Sequence, residues 1–171
     1  MHRRNILGIA ATAVLALALP GAANAQQQTI RQLLPGAWTL LLIDGVKDDG
    51  THVPLYGPNP MGTLMYSGTG RFAVIIMRSD LKPFASPDPS TWTAAETKAV
   101  ATGAFSAFGT YTTDEASKIL NLRIEGSSIP NLDYTNRKRI VTAITDEVLT
   151  YNIPGPAAGF DHIELVWKKV K

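Results

Sequence analysis

The 171-residue chain contains no cysteine. It therefore cannot form a disulfide, a thiolate nucleophile or a cysteine-ligated metal site, and packing alone must hold its fold. Net charge is also nearly absent, because 16 Lys and Arg stand against 14 Asp and Glu, and Arg3 and Arg4 account for the whole excess. Residues 26–171 are formally neutral, which argues against nucleic acid or an anionic membrane as a partner.

Groups that commonly carry out catalysis are scarce as well. The chain has three histidines and lacks the motifs of serine hydrolases, zinc proteases and phosphate-binding loops. His52 lies in a Gly-Thr-His-Val-Pro turn, where we expect it to be exposed. His162 stands beside Asp161 and shares a strand face with Glu164, a pattern more typical of a solvated strand edge than of a metal site. We therefore predict no metal site and no cofactor.

Residues 1–25 have the pattern of a cleaved export signal peptide. A basic start with Arg3 and Arg4 precedes a mostly apolar run at residues 6–19, and Ala-Asn-Ala at 23–25 fits a cleavage site. The apolar run of about 14 residues is shorter than the roughly 20 that span a membrane. We predict a periplasmic or secreted mature domain, residues 26–171, with no integral membrane segment. The paired arginines leave both the general secretory and the twin-arginine routes open.

The mature chain is predominantly β in pattern. Thr93 followed by Glu96 predicts the capped start of the one sizeable helix, which ends near Thr102. Turn signals separate eight segments of strand character, which are residues 37–43, 62–67, 72–77, 104–113, 118–125, 136–144, 148–153 and 162–170. Short strands joined by tight turns favour an antiparallel meander, and closure removes its exposed edges. We predict one mainly β domain, an eight-stranded antiparallel up-and-down barrel with one short helix outside it or near a mouth.

Several ordered segments between residues 34 and 170 carry a family resemblance. They are Gly-Ala-Trp at 36–38, Gly-Pro-Asn-Pro-Met-Gly at 57–62, Leu-Met-Tyr at 64–66, Ile-Met-Arg at 76–78, Pro-Phe-Ala-Ser at 83–86, Gly-Thr-Tyr at 109–111, Pro-Asn at 130–131, Arg139 and Leu-Val-Trp at 165–167. In this order the set resembles the bacterial and fungal lipocalin-like domain family. The resemblance implies a lipocalin-type eight-stranded barrel and says little about activity. Leu-Asp-Tyr at 132–134 departs from the family's more apolar segment, so the selectivity of a pocket there can differ.

Strand alternation predicts which side chains face the barrel interior. The predicted inward sets are Trp38, Leu40 and Leu42; Phe72, Val74 and Ile76; Leu120, Leu122 and Ile124; and Ile163, Leu165 and Trp167. The same residues suit either a filled core or the lining of a cavity, and alternation does not separate the two. Ala73, Ile75 and Met77, on the opposite face, are predicted to lie under the helix, with a homodimer interface as the alternative.

Arginine and tyrosine are the best candidates for polar contacts with a ligand. The family analogy places Arg139 across the Trp38 ring as a cation–π contact, while a ligand-facing guanidinium and a surface position stay open. Inside an apolar cavity, Tyr66 and Tyr111 with Arg139 could orient a carbonyl or carboxylate. The same groups could stabilise an enolate. Alternation separates Lys138 from Arg137 and Arg139, which weakens any nucleic-acid interpretation.

These observations favour an exported protein that binds a small hydrophobic or amphipathic molecule inside its barrel. The alternative is a cofactor-free isomerase or cyclase acting on a polyketide-, terpenoid- or lipid-like substrate, and we favour binding over catalysis. A third hypothesis is a structural or interaction protein with a filled core. The candidate ligand-binding residues are Trp38, Leu40, Tyr66, Phe72, Val74, Ile76, Tyr111, Arg139 and Trp167.

Overall fold

The computed structural model describes residues 28–171, so the predicted signal peptide at 1–25 lies outside the described residues. The strands are β1 (Gly36–Val46), β2 (His52–Pro54), β3 (Met61–Tyr66), β4 (Arg71–Met77), β5 (Ala104–Asp114), β6 (Ile119–Ser127), β7 (Asn136–Ile144), β8 (Val148–Ala157) and β9 (Phe160–Lys169). The helices are α1 (Ile30–Leu33) and α2 (Ala94–Gly103), and short 3-10 helices lie at Pro89–Thr91 and Pro130–Leu132. Within this part of the chain no helix has the length and apolar character needed to cross a membrane.

The strands close into an antiparallel barrel. From β3 to β9 each strand pairs with the next one in the chain, and β1 pairs with both β3 and β9. The β1–β9 ladder runs from Trp38 opposite Lys169 to Val46 opposite His162. The predicted eight-stranded up-and-down barrel is confirmed. The turn predicted around His52 is instead the short strand β2, which pairs only with the end of β1 outside the closed ring.

A β-bulge in β1 changes which side chains point inward. The β1–β9 register shifts between Leu40 and Leu42, so Leu41 is the extra residue. An extra residue reverses the alternation beyond it. Ile43 becomes buried opposite Leu165, whereas Leu42 is only half-buried and Leu41 is exposed. The prediction that Leu42 shares the inward face of Trp38 and Leu40 is wrong for this reason.

Helix α1 closes one end of the barrel. Thr29 caps it in a reciprocal capping box with Gln32. The backbone amides of Ile30 and Arg31 each donate to the Glu115 carboxylate, at 2.9 Å, which ties the helix to the turn between β5 and β6. Leu34 follows the helix and is fully buried. Its carbonyl accepts a hydrogen bond from Nε1 of Trp38 at 3.0 Å. We call this end of the barrel the α1 end.

The cation that covers the Trp38 ring comes from β9. Nζ of Lys169 lies 4.9 Å from the centre of that ring and donates to the Leu33 carbonyl at 2.6 Å. The register explains this contact, because Lys169 is the direct partner of Trp38, whereas Arg139 stands opposite Leu120 on β6. The family analogy that placed Arg139 across Trp38 is therefore wrong.

Helix α2 has the predicted capping box between Thr93 and Glu96 but does not cover β4. Its largest apolar side chain is Val100, in the sequence Ala-Ala-Glu-Thr-Lys-Ala-Val-Ala-Thr-Gly. The helix therefore lacks the stripe of large apolar side chains that is needed to pack on a sheet. It lies instead beside the loop at residues 78–84. Ile75 stays 43% exposed, so the prediction that Ala73, Ile75 and Met77 lie under the helix is wrong. A homodimer through this face stays a prediction.

Replacing Lys169 with methionine should lower the free energy of unfolding by about 2 kcal/mol. The variant loses the cation–π contact with Trp38 and leaves the Leu33 carbonyl without its donor. Urea unfolding followed by tryptophan fluorescence measures the change. Lys168→Met removes an exposed lysine from the neighbouring position and should change stability by less than about 0.5 kcal/mol. Equal losses in the two variants would contradict the role of Lys169.

Candidate functional site

The barrel interior brings most of the predicted site residues together. Seven of them belong to one buried hydrophobic cluster: Trp38, Leu40, Tyr66, Phe72, Val74, Ile76 and Trp167. Tyr111 is half-buried and packs against the same cluster. Each of these positions faces inward because antiparallel partners share a side of the sheet, as Leu64 and Val74 or Tyr66 and Phe72 do. The interior is thus largely apolar, and its few polar groups define the candidate site.

Tyr66 is the most enclosed of these polar groups. It ends β3 beside the α1 end, is 3% exposed, and meets the Tyr111 ring edge-on at 4.8 Å between centroids. The Tyr66 hydroxyl has no hydrogen-bond partner among residues 28–171. Tyr111 differs, since its hydroxyl donates to the Ser67 carbonyl at 2.7 Å. Of these two predicted donors, Tyr66 keeps its hydroxyl unused.

Trp167 carries a second buried donor without a partner. Its neighbours across the strands are Leu40 on β1 and Leu149 on β8, and the residue is fully buried. In the described part of the chain its Nε1 makes no hydrogen bond of ordinary geometry, although it lies close enough to the Tyr151 hydroxyl to lower the pKa of that phenol. Nε1 of Trp38, in contrast, donates to the Leu34 carbonyl. A buried polar group left unpaired costs about 1–3 kcal/mol. Two such groups in one interior call for an explanation.

Arg139 also faces the interior, but beside Tyr151 rather than Trp38. Its guanidinium carbon lies 5.9 Å from the centre of the Tyr151 ring, and Nη1 donates to the carbonyl of Lys138 at 2.9 Å. The candidate set predicted from sequence omitted Tyr151, which is buried opposite Leu165. Alternation with Leu149 and Ile153 in β8 is the signal that could have assigned it to the inward face.

The tyrosine pKa values show that these groups influence one another. Burial raises the pKa of Tyr66 well above its usual value near 10; Tyr151 adds to this rise, and the Arg139 guanidinium opposes it. Burial also raises the pKa of Tyr151, while Arg139 and the Trp167 indole favour its ionised form. Both phenols are therefore neutral at neutral pH. We call Tyr66, Tyr151, Trp167 and Arg139 the donor cluster.

The donor cluster can bind a hydrogen-bond acceptor but has no evident base. Indole and guanidinium groups only donate hydrogen bonds, and a neutral phenol can donate one. The members of the cluster, Tyr66, Tyr151, Trp167 and Arg139, include no carboxylate and no imidazole. The cluster is therefore chemically suited to hold an oxygen atom of a bound molecule.

The histidines and the outer grooves are less suitable as sites. His52 is half-exposed and lies 3.3 Å from the carboxylate of Asp44, while His162 pairs with Asp161 at 2.8 Å. Across residues 28–171 no three His, Asp or Glu side chains come together in a way that could hold a metal ion.

Two grooves of about 700 and 580 Å³ run along the outside, one beside α1 and the end of β7, the other between α2 and residues 78–84. In the second groove Arg78 already pairs with Asp80, and Glu96 already accepts from the amide of Ala85. Neither these grooves nor a third one of about 480 Å³, lined by residues of β5, β6 and β7, presents a buried donor that lacks a partner, as the donor cluster does. We therefore place the candidate site in the barrel interior.

A family model agrees with the fold. The model of a family described as a lipocalin-like domain matches residues 35–170. A redesigned β-barrel aligns with a TM-score of 0.43 and 12% identity, covering 85% of this chain and 98% of its own. A de novo designed fluorescence-activating β-barrel gives a TM-score of 0.40 and 9% identity, covering 84% of this chain and 99% of its own. The comparison with curated proteins finds no match.

Removing the hydroxyl should affect stability differently at Tyr66 and at Tyr111. Tyr66→Phe removes a buried group that has no protein partner, so the free energy of unfolding should stay the same or rise by about 1 kcal/mol. Tyr111→Phe deletes the hydrogen bond to Ser67 and should lower it by about 1 kcal/mol. Urea unfolding of both variants tests this. A loss of more than about 1 kcal/mol in Tyr66→Phe would show that its hydroxyl is satisfied within the protein.

Proposed function

Because this chain belongs to the lipocalin-like domain family, we propose that it binds one small hydrophobic or amphipathic molecule inside its barrel. The observation that carries the proposal is the pair of buried donors without partners, the Tyr66 hydroxyl and the Trp167 indole, in an otherwise apolar interior. Binding sites for small molecules have this composition, an apolar lining with a few convergent polar groups. An eight-stranded barrel has room for side chains or for one small ligand.

The apolar lining supports binding energetically. Phe72, Val74 and Ile76 of β4 present a continuous inward stripe, and Leu122 and Ile124 of β6 add to the wall. Each square ångström of apolar ligand surface removed from water contributes about 25 cal/mol, before the cost of immobilising the ligand is subtracted. The lining therefore supplies affinity, and the donor cluster supplies orientation.

Catalysis by the same interior is the second candidate. Two neutral phenols beside a guanidinium would stabilise an enolate, as a cofactor-free isomerase or cyclase requires. Such a reaction also needs a group that removes a proton, and the donor cluster contains no carboxylate or imidazole that could do so. Binding therefore ranks above catalysis. A structural or interaction protein with a filled core is the third candidate, and it differs from the first in predicting no saturable ligand binding.

We also propose that the protein is exported. The pattern of residues 1–25 supports delivery of the mature domain to the periplasm or the medium. The intact mass of the exported protein should correspond to a chain that begins at Gln26. A mass that still includes residues 1–25 would contradict cleavage before Gln26.

Titration with N-phenyl-1-naphthylamine, a neutral probe that fluoresces in apolar surroundings, tests interior binding. The wild-type protein should bind one probe per chain with saturable affinity. Val74→Phe enlarges an inward side chain and should weaken binding at least about tenfold by filling the space that the probe needs. Ile75→Phe makes the same kind of change at the next, outward position and should leave the affinity unchanged.

Circular dichroism and thermal unfolding establish that both variants are folded before binding is compared. The absence of saturable binding to the wild-type protein would favour the filled-core hypothesis. An equal loss in Val74→Phe and Ile75→Phe would show that the probe binds the outer surface instead of the interior.

A further inference from the structure

The donor cluster contains one positive charge, on Arg139, and no negative charge. The Arg139 guanidinium is half-buried on the inward side of β7, next to Leu120, which is fully buried. No Asp or Glu among the described residues lies within 4.0 Å of it, whereas Arg71 on the outer surface pairs with Glu125 at 2.9 Å. Within this part of the chain its guanidinium donates to the neighbouring Lys138 carbonyl and lies beside the Tyr151 phenol, whose pKa it lowers. A half-buried cation without a counterion is less favourable than a paired one.

Two other members of the cluster, Tyr66 and Trp167, lack a hydrogen-bond partner within residues 28–171. The atoms concerned, the Tyr66 hydroxyl and the Trp167 indole nitrogen, are buried. Guanidinium and indole groups only donate, so within the cluster only the neutral phenol oxygens of Tyr66 and Tyr151 can accept from them. A negatively charged acceptor would be a better partner for these donors, because hydrogen bonds to a charged acceptor are the stronger kind.

The position of the cluster gives the bound molecule a direction. Tyr66 pairs with Gly36, the residue at the start of β1 that follows α1, so its hydroxyl belongs to the closed end of the barrel. Ile76 lies at the far end of the same inward stripe, opposite Phe105. Tyr66 therefore lies at the α1 end, and the apolar stripe that begins with its partner Phe72 leads away from it.

We propose that the ligand is an amphipathic organic anion whose charged oxygen group, such as a carboxylate, is held by Tyr66, Trp167 and Arg139. Its apolar part then lies along Phe72, Val74 and Ile76, away from the α1 end. This assignment rests on the proposed binding function and adds the chemical class and orientation of the ligand. The raised pKa of Tyr66, caused by burial, keeps its hydroxyl protonated and able to donate.

Two probes with one skeleton test the assignment. 8-Anilinonaphthalene-1-sulfonate is N-phenyl-1-naphthylamine with an added sulfonate, so the ratio of their Kd values isolates the contribution of the anion. The wild-type protein should bind the sulfonate at least about tenfold more tightly, the factor expected for one charge-assisted hydrogen bond. Tyr66→Phe and Arg139→Gln should each weaken binding of the sulfonate more than binding of the neutral probe, and so remove most of this preference.

The matched control is Lys138→Gln. Lys138 precedes Arg139 on β7, is exposed and points to the outer side, so this variant removes the same charge without touching the interior. It should keep the wild-type preference for the sulfonate. Arg139→Lys keeps the positive charge but loses the planar guanidinium group. Compared with Arg139→Gln, it should keep part of the preference for the sulfonate. Should Arg139→Gln fail to fold, Tyr66→Phe, which is expected to be at least as stable as wild type, carries the comparison.

The outcomes separate the two proposals. Saturable binding of both probes with equal affinity, or an equal loss for both in Arg139→Gln, would overturn the anionic ligand and leave interior binding standing. A loss of preference in Lys138→Gln as large as that in Arg139→Gln would show a general surface charge effect and would also overturn it. The absence of saturable binding for both probes would overturn the binding function together with the assignment.

Discussion

The hydrogen-bonded ladder between β1 and β9 closes the sheet, and the features of the interior depend on that closure. It joins residues near the start of the domain to residues near its end, from Trp38 and Lys169 to Val46 and His162. Once the ring is closed, no long strand edge remains open, and the inward side chains of the strands pack into one buried cluster. The same ladder places Lys169 over Trp38 and sets Trp167 against Leu40.

The barrel interior differs in polarity along its length. At the α1 end, the buried Trp38 and Leu34 and the hydrogen bonds from two α1 backbone amides to the Glu115 carboxylate provide stability. Beside them, Tyr66 and Trp167 keep polar atoms that the described residues do not satisfy. Replacing such groups with apolar ones of the same shape is often neutral or stabilising. Their presence is the pattern expected where stability is given up for binding.

The bulge at Leu41 and the short helix α2 show how local features shape the outer surface. The bulge turns Leu41 outward and Ile43 inward, and both changes follow from one extra residue opposite β9. Helix α2 forms as its capping box predicts, yet its small side chains leave Ile75 uncovered. The outer face of the barrel near β4 is therefore apolar for a local reason, independent of the candidate site in the interior.

Much of the fold follows from the sequence alone. Alternation assigned Phe72, Val74 and Ile76 to the interior, and Thr93 with Glu96 marked the start of α2, because both signals depend on neighbours within a few residues. The tertiary structure alone decided the shift at Leu41 and the choice of Lys169 over Arg139 as the cation on Trp38. Both depend on the register between strands that are distant in the chain. The unpartnered state of Tyr66 and Trp167 is equally a tertiary property, since a missing hydrogen-bond partner is defined only once every neighbouring side chain has its place.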